Sequence, residues 1–268
     1  MPSDSAATPT AATLAYDDAG TGVPIVLLHA FPLNSQMWEG VRAAVGRAGR
    51  LVTLDLAGFG RSAPASTAEP SLDELADEVI TVIERLGLEQ VVLGGVSMGG
   101  YVAMALLRRA PDLVRALVLA DTKATADTDE VRANRERIAA TALREGTPRV
   151  VLDDVVPGLL GPTTHQSRPH VVSVVRELAA SASPEAIAWA QRAMAARPDS
   201  IETLRAFTGP ALVVVGEEDG VTPPAEATAM AAALPDAQLV RLPEAGHLAV
   251  METPDPFAVA LRAFLARL

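Results

Sequence analysis

The segment Gly95-Val96-Ser97-Met98-Gly99 is where this sequence first offers chemistry. The apolar run Val91-Val92-Leu93 precedes it, and an almost wholly apolar helical stretch, Met98 to Arg109, follows it. A serine on a tight strand-to-helix turn presents its hydroxyl as a nucleophile. The helix start behind it offers a free backbone N–H at Met98 and a partial positive charge for a developing oxyanion. Gly95 and Gly99 leave room where the chain passes close to itself. The competing reading is a serine that only caps a helix; the flanking strand and helix favour the nucleophile.

A serine hydroxyl needs a base, and the base needs an orienting acid. The chain has four histidines. His165 and His170 fall in helical, surface-type sequence. His29 sits in His29-Ala30-Phe31-Pro32, directly after an apolar run, and is expected to bond to backbone there. His247, in Ala245-Gly246-His247 before the last helix, suits the base. The acid is read as Asp219, in the glycine-flanked loop Gly216-Glu217-Glu218-Asp219-Gly220; Glu217 and Glu218 compete by composition, but alternation leaves one of them outside, and the other reading for both is solvated loop charge. Asp121, ending another apolar run, is the rival acid, its other role being a hydrogen bond at the cap entrance. Phe31 is placed to supply a second oxyanion N–H beside that of Met98. Phe31, Trp189, Val221 and Leu248 are the expected substrate contacts.

Short apolar runs must carry these residues. Ile25 to Leu28, Leu51 to Leu54, Val91 to Leu93, Ala116 to Leu119, Ala211 to Val215 and Gln238 to Leu242 read as strands, most of them Val/Leu-rich enough to be covered on both faces. Between them lie helical patterns. Leu72, Leu75, Val79, Val82, Ile83 and Leu86 recur at helical spacing behind Ser71, which has Glu74 three residues on, and Gly87 stops the helix. Pro223 to Leu234 and Pro256 to Leu268 are two more helices. Such alternation predicts an α/β architecture, a mostly parallel sheet with helices on both faces. One stretch breaks it: Glu130 to Arg144, Arg149 to Val156, Arg168 to Ala180 and Pro184 to Ala195 are all helical. They predict a cap, residues 122–207, inserted before the strand that precedes Asp219. The core is then 14–121 with 208–268, and the small, polar residues 1–13 read as a disordered tail.

The 268 residues are 49% hydrophobic and 3% aromatic, which predicts a large aliphatic core. The net charge of -11 repels phosphate backbones and anionic membranes, so nucleic-acid and membrane partners are not expected. The absence of cysteine excludes disulfides, thiolate metal sites and a cysteine nucleophile, and fits a cytoplasmic setting. No apolar run is long enough to span a bilayer, and the N-terminus has no signal-peptide pattern.

Taken together, Asp55-Leu56-Ala57-Gly58-Phe59-Gly60-Arg61-Ser62, the Gly-x-Ser-x-Gly turn, His-Ala-Phe-Pro, Gly-x-x-Asp and Gly-His resemble the motifs of α/β-hydrolase-fold serine hydrolases. The resemblance runs from about Leu14 to the end. It is to the branch of bacterial carboxylesterases, 3-oxoadipate enol-lactonases and cofactor-free perhydrolases. One departure is His29-Ala30, where the family has His-Gly. The resemblance implies the order Ser97, Asp219, His247, with Met98 and Phe31 as oxyanion donors and Asp55 structural. It implies hydrolysis of a carboxylic ester or lactone through an acyl-enzyme, without metal or cofactor. Aspartate nucleophiles of related dehalogenases and epoxide hydrolases are excluded by Ser97. Enol-lactone hydrolysis and perhydrolysis, for which Phe31-Pro32 is the pointer, are the enzymatic alternatives; a small-molecule receptor on the same fold is the non-enzymatic one. A neutral substrate and a largely apolar pocket are expected. The cap arginines, Arg132, Arg135, Arg137, Arg144, Arg168, Arg176 and Arg192, are read as a solvated, salt-bridged face.

Overall fold

The computed structural model of the protein describes residues 14–65 and 69–268; the tail read at 1–13 lies outside them. A seven-stranded sheet forms the centre, in the order β1-β3-β2-β4-β5-β6-β7. The strands are β1 Tyr16–Ala19, β2 Pro24–Leu28, β3 Arg50–Leu54, β4 Val91–Val96, β5 Val114–Ala120, β6 Ala211–Gly216 and β7 Ala237–Leu242. All neighbours from β3 to β7 pair parallel; β1 pairs antiparallel with β3 at the edge. Six of these strands are those read from sequence. β1 is short and mostly exposed, so it carries no apolar signal, and its acids are tied down by arginines: Asp17 to Arg61 and Asp18 to Arg50.

Helices α1 Glu39–Gly46, α2 Leu72–Arg85, α3 Met98–Arg109, α10 Pro224–Ala233 and α12 Pro254–Leu265 accompany the sheet. β2, β4, β5 and β6 are buried almost throughout, as strands covered on both faces must be. Edge strand β7 is half-exposed, which its Val and Leu content did not foretell. Ser71 caps α2 as read, its hydroxyl accepting from the Asp73 N–H, and Gly87 follows the helix with positive φ.

Between β5 and β6 come α4 Asp129–Glu145, α5 Arg149–Asp154, α6 Pro162–Ser167, α7 Pro169–Ala180, α8 Pro184–Ala196 and α9 Ile201–Ala206. The four helices expected in this insertion are present. The additional α6 and α9 are six residues each, too short for periodicity to declare them. α4 packs along α8, whereas α9 packs on α3 and α10 beside the sheet. Among the described residues, no helix is long and apolar enough to cross a membrane.

Candidate active site

Because β2 to β7 run parallel, their carboxyl ends share one edge, and the loops leaving them bring Ser97, Asp121, Asp219, His247 and His29 together. Ser97 leaves β4 with φ +53°, a conformation that costs a non-glycine residue energy. Two bonds hold it there: its N–H donates to the Ala120 carbonyl (3.0 Å), and its carbonyl accepts from the Thr122 hydroxyl (2.9 Å). A side chain at Gly95 would collide with the Gly99 backbone, and one at Gly99 with the Leu28 carbonyl. Both glycines are required by close approach. The Ser97 side chain makes no helix-capping bond. Its Oγ instead lies 2.8 Å from His247 Nε2, which removes the helix-cap alternative.

His247 is buried, and its Nδ1 lies 2.9 Å from Asp219 Oδ2. With Nδ1–H donating to Asp219, Nε2 is left to accept the serine proton. Asp219 is held by its own loop: the Val221 and Thr222 N–H groups donate to Oδ1 (2.8 and 2.9 Å), and the Thr222 hydroxyl donates to Oδ2 (2.7 Å). Burial alone would raise the Asp219 carboxyl, but the charge and hydrogen bond of His247, with the Thr222 bonds, outweigh it and hold the carboxyl below its ordinary value. Glu217 is exposed, and Glu218 accepts from the Thr163 N–H (2.9 Å) and hydroxyl (2.5 Å), so neither competes for the histidine.

Asp121 does not reach His247. Its Oδ1 accepts from Gly216 N–H (2.8 Å) and its Oδ2 from Ala249 N–H (3.0 Å). It therefore ties the end of β6 to the segment after His247, not to the cap entrance as the sequence reading had it. Burial, and the charge of nearby Asp219, push its carboxyl well above the ordinary range. Glu252, in the short helix α11 (Ala249–Glu252), was not singled out from sequence. Its Oε1 accepts from the Gly246 and Leu248 N–H groups (2.9 and 3.1 Å), gripping the His247 loop on both sides; its Oε2 accepts from Gly161 N–H (2.8 Å) in the insertion. The available signal was an acid five residues past the histidine. Thr222 was missed likewise, being read only as part of a loop.

Met98 is the first residue of α3, so its N–H has no intrahelical acceptor. The Phe31 N–H has no acceptor among the described residues, and the Phe31 side chain lines the same cavity as Ser97 and His247. His29, as expected, bonds to backbone: Leu56 N–H donates to its Nε2 (2.9 Å), and its Nδ1 lies 3.0 Å from the Ala30 carbonyl. Burial lowers its pKa to about 4, so it stays neutral. Asp55 is structural, accepting from the Ser35 and Arg61 N–H groups and from the Arg61 guanidinium.

The cavity above Ser97 measures about 340 Å³ and is roofed by α4, α5 and α8. Phe31 and Val221 line it; Trp189 and Leu248 do not. Trp189 is two residues from Gln191, which lines the cavity, and two residues turn a helix by more than half a revolution. Leu248 is fully buried in the core. Nor is the lining largely apolar. It includes Lys123, Asp127, Arg135, Arg137 and Asp154 beside Ile138, Val155 and Leu159. Arg135 stands three and four residues before the buried Ile138 and Ala139, so it shares their inward stripe. The solvated, salt-bridged face read for the cap arginines does not hold for it: Arg135 reaches the buried Asp127, and Glu136 beside it pairs with Arg192. Of the seven cap arginines, only Arg135 and Arg137 line the cavity. A larger hollow, about 650 Å³, lies at the opposite, amino ends of β5 and β6, among residues such as Arg115 and Phe207; it contains none of the residues gathered around Ser97.

This geometry can pass a proton from a serine hydroxyl to an imidazole steadied by a carboxylate, beside a cavity of small-molecule size. The chain is also similar to known proteins. A thermophilic esterase from Thermogutta terrifontis, solved with malate bound, superposes with a TM-score of 0.93 at 40% identity, over 98% of this chain and 96% of that one. The enol-lactonase of Burkholderia xenovorans LB400 superposes at 0.85 with 26% identity, over 94% and 96%. The dihydrolipoyllysine-residue acetyltransferase component of the acetoin cleaving system of Pseudomonas putida is 29% identical over 92% of this chain, which spans only 64% of that protein. The sequence profile of the alpha/beta hydrolase family matches residues 25–260, and the chain is a member of that family.

Proposed function

We propose that the protein hydrolyses a carboxylic ester or lactone through an acyl-enzyme on Ser97. The observation that carries this reading is the continuous hydrogen-bonded line from Ser97 Oγ through His247 to Asp219. His247 Nε2 takes the serine proton as Oγ attacks the carbonyl carbon. Asp219 keeps the imidazole in the accepting tautomer and stabilises the imidazolium that forms. The N–H groups of Met98 and Phe31 receive the oxyanion, and the α3 amino terminus adds its positive end. The imidazolium gives its proton to the leaving alcohol. A water, deprotonated by His247, then attacks the acyl carbonyl and releases the acid. Similarity to an esterase and to an enol-lactonase supports both open-chain and cyclic esters.

A p-nitrophenyl ester tests the reading. Mixing the enzyme with excess ester should release a burst of p-nitrophenol equal to the enzyme present, followed by slower turnover. Ser97→Ala should abolish the burst and lower kcat by about 10⁴-fold or more, with the unfolding midpoint unchanged. A Ser97→Ala variant that still gave a burst would refute the proposal.

A further inference from the structure

The wall of the cavity facing Ser97 carries more positive than negative charge. Lys123, Arg135 and Arg137 line it together with Asp127 and Asp154, and a fourth cation, Arg197, is buried against Asp127 from behind. Arg137 and Asp154 neutralise each other at 3.0 Å. Asp127, whose side chain is fully buried, is then left to serve three cations: Arg135 at 2.5 Å, Arg197 at 2.8 Å and Lys123 at 3.4 Å.

The donors are not equally occupied. Arg197 places Nη1 on the Met194 carbonyl and Nη2 on the Thr125 carbonyl and Asp127, and its guanidinium stacks 4.0 Å over the Tyr101 ring. It is fully engaged in holding the insertion to the core. Arg135 spends Nε on Asp127 and Nη1 on Gln191, while Nη2 bonds nothing among the described residues. Lys123 touches Asp127 only at 3.4 Å, so an ammonium with three donors has no strong bond among the described residues. Both side chains are mostly withdrawn from solvent, at 17% and 16% exposure. Half-buried cations with unspent donors, in a chain of net charge -11, are suited to bonding an anion in the cavity.

A purely structural network would need less. One buried carboxylate is balanced by one buried arginine, and Arg197 already fills that role; Lys123 and Arg135 add charge on the side open to the cavity. We propose that Lys123 and Arg135 form a subsite for a carboxylate on the substrate, so that the preferred ester or lactone is anionic. This rests on the Ser97 hydrolase reading, and it replaces the neutral substrate expected from net charge.

The probes are p-nitrophenyl hexanoate and the p-nitrophenyl monoester of adipic acid, which differ by one terminal carboxylate. At low salt the wild-type protein should favour the charged ester in kcat/KM by about tenfold or more. Lys123→Gln and Arg135→Gln should each bring the charged-to-neutral ratio toward one. Raising salt to about 1 M, where the Debye length is about 3 Å, should erode the wild-type ratio in the same direction, and it needs no variant to fold. Wild-type preference for the neutral ester, or a ratio that neither variant nor salt changes, would overturn the subsite while leaving the hydrolase reading intact. Hydrolysis of both esters undiminished in Ser97→Ala would instead overturn the hydrolase reading.

Discussion

Two parts of this molecule face each other across one cavity, and they are built by different means. On the sheet side, the groups proposed to react are held through backbone N–H donors: Asp219 accepts from two N–H groups of its own loop, Glu252 from two of the His247 loop, and Asp121 from one at the end of β6. On the cap side, the wall is held by long side chains meeting at one carboxylate, Asp127. Backbone bonds set positions within fractions of an ångström and suit proton transfer, which demands hydrogen-bond reach between fixed atoms. An ion cluster sets charge rather than position, and suits selection among substrates. The surface pairs elsewhere, such as Arg149 with Asp153, contribute little to either task.

The comparison breaks most sharply at the two aspartates of the sheet side. Asp219→Asn should lower kcat by about 10³- to 10⁴-fold, because an amide no longer fixes the accepting tautomer of His247. Asp121→Asn should cost activity far less, because its carboxyl bonds to the Gly216 and Ala249 N–H groups and not to His247. The measurement is kcat for both variants on one ester; the reverse order would exchange their roles.

On the cap side the matching experiment reads stability. Asp127→Asn removes the one carboxylate shared by Lys123, Arg135 and Arg197 and leaves cations buried without compensation. It should destabilise by about 3–5 kcal/mol, measured by urea unfolding. The Asp127 carboxyl shows how strongly it is paired. Burial would raise it, but the hydrogen bonds and charges of Arg197 and Arg135 drive it far below the ordinary carboxylate range. A variant as stable as the wild type would mean that the three cations need no shared anion.

Glu78 on α2, remote from both sides, sharpens the contrast with the smallest effect. Both of its carboxyl oxygens are buried without a hydrogen-bond partner among the described residues, and burial, with the charge of Glu74, raises its pKa from 4.5 to about 7. The folded state therefore holds a proton there that the unfolded state releases near pH 4.5. Stability contributed by this group is intact below that pH and is lost as pH rises toward 7, since unfolding then releases a proton. Glu78→Gln should remove this fall and stabilise the protein by about 1–3 kcal/mol at pH 8. Urea midpoints that leave wild type and variant parallel across pH 4 to 8 would contradict this.

The residues proposed to react were legible as candidates because each obeys a local rule. Ser97 stands between glycines at a strand end, and His247 and Asp219 lie in loops whose strands announce themselves as apolar runs. The hydrogen-bond partners Glu252 and Thr222 were not legible, because nothing local distinguishes a bracing acid or hydroxyl from a solvated one. Arg135 is the instructive case. Its inward direction was available from its spacing to Ile138 and Ala139, but a charged residue on a helix reads first as part of a solvated face.

The sequence by itself determined the strand and helix alternation, the parallel sheet and the inserted helices, and it singled out Ser97 and His247 as candidates, since all follow from periodicity and turn chemistry within a few residues. Tertiary structure alone decided which acid meets the imidazole, that Asp121 braces instead, that Trp189 and Leu248 stay out of the cavity, and that its wall is cationic. Those outcomes depend on which faces of distant elements meet. Asp127, Arg135 and Arg197 converge across as many as 70 residues of chain, and no local pattern encodes a charge balance assembled at that separation.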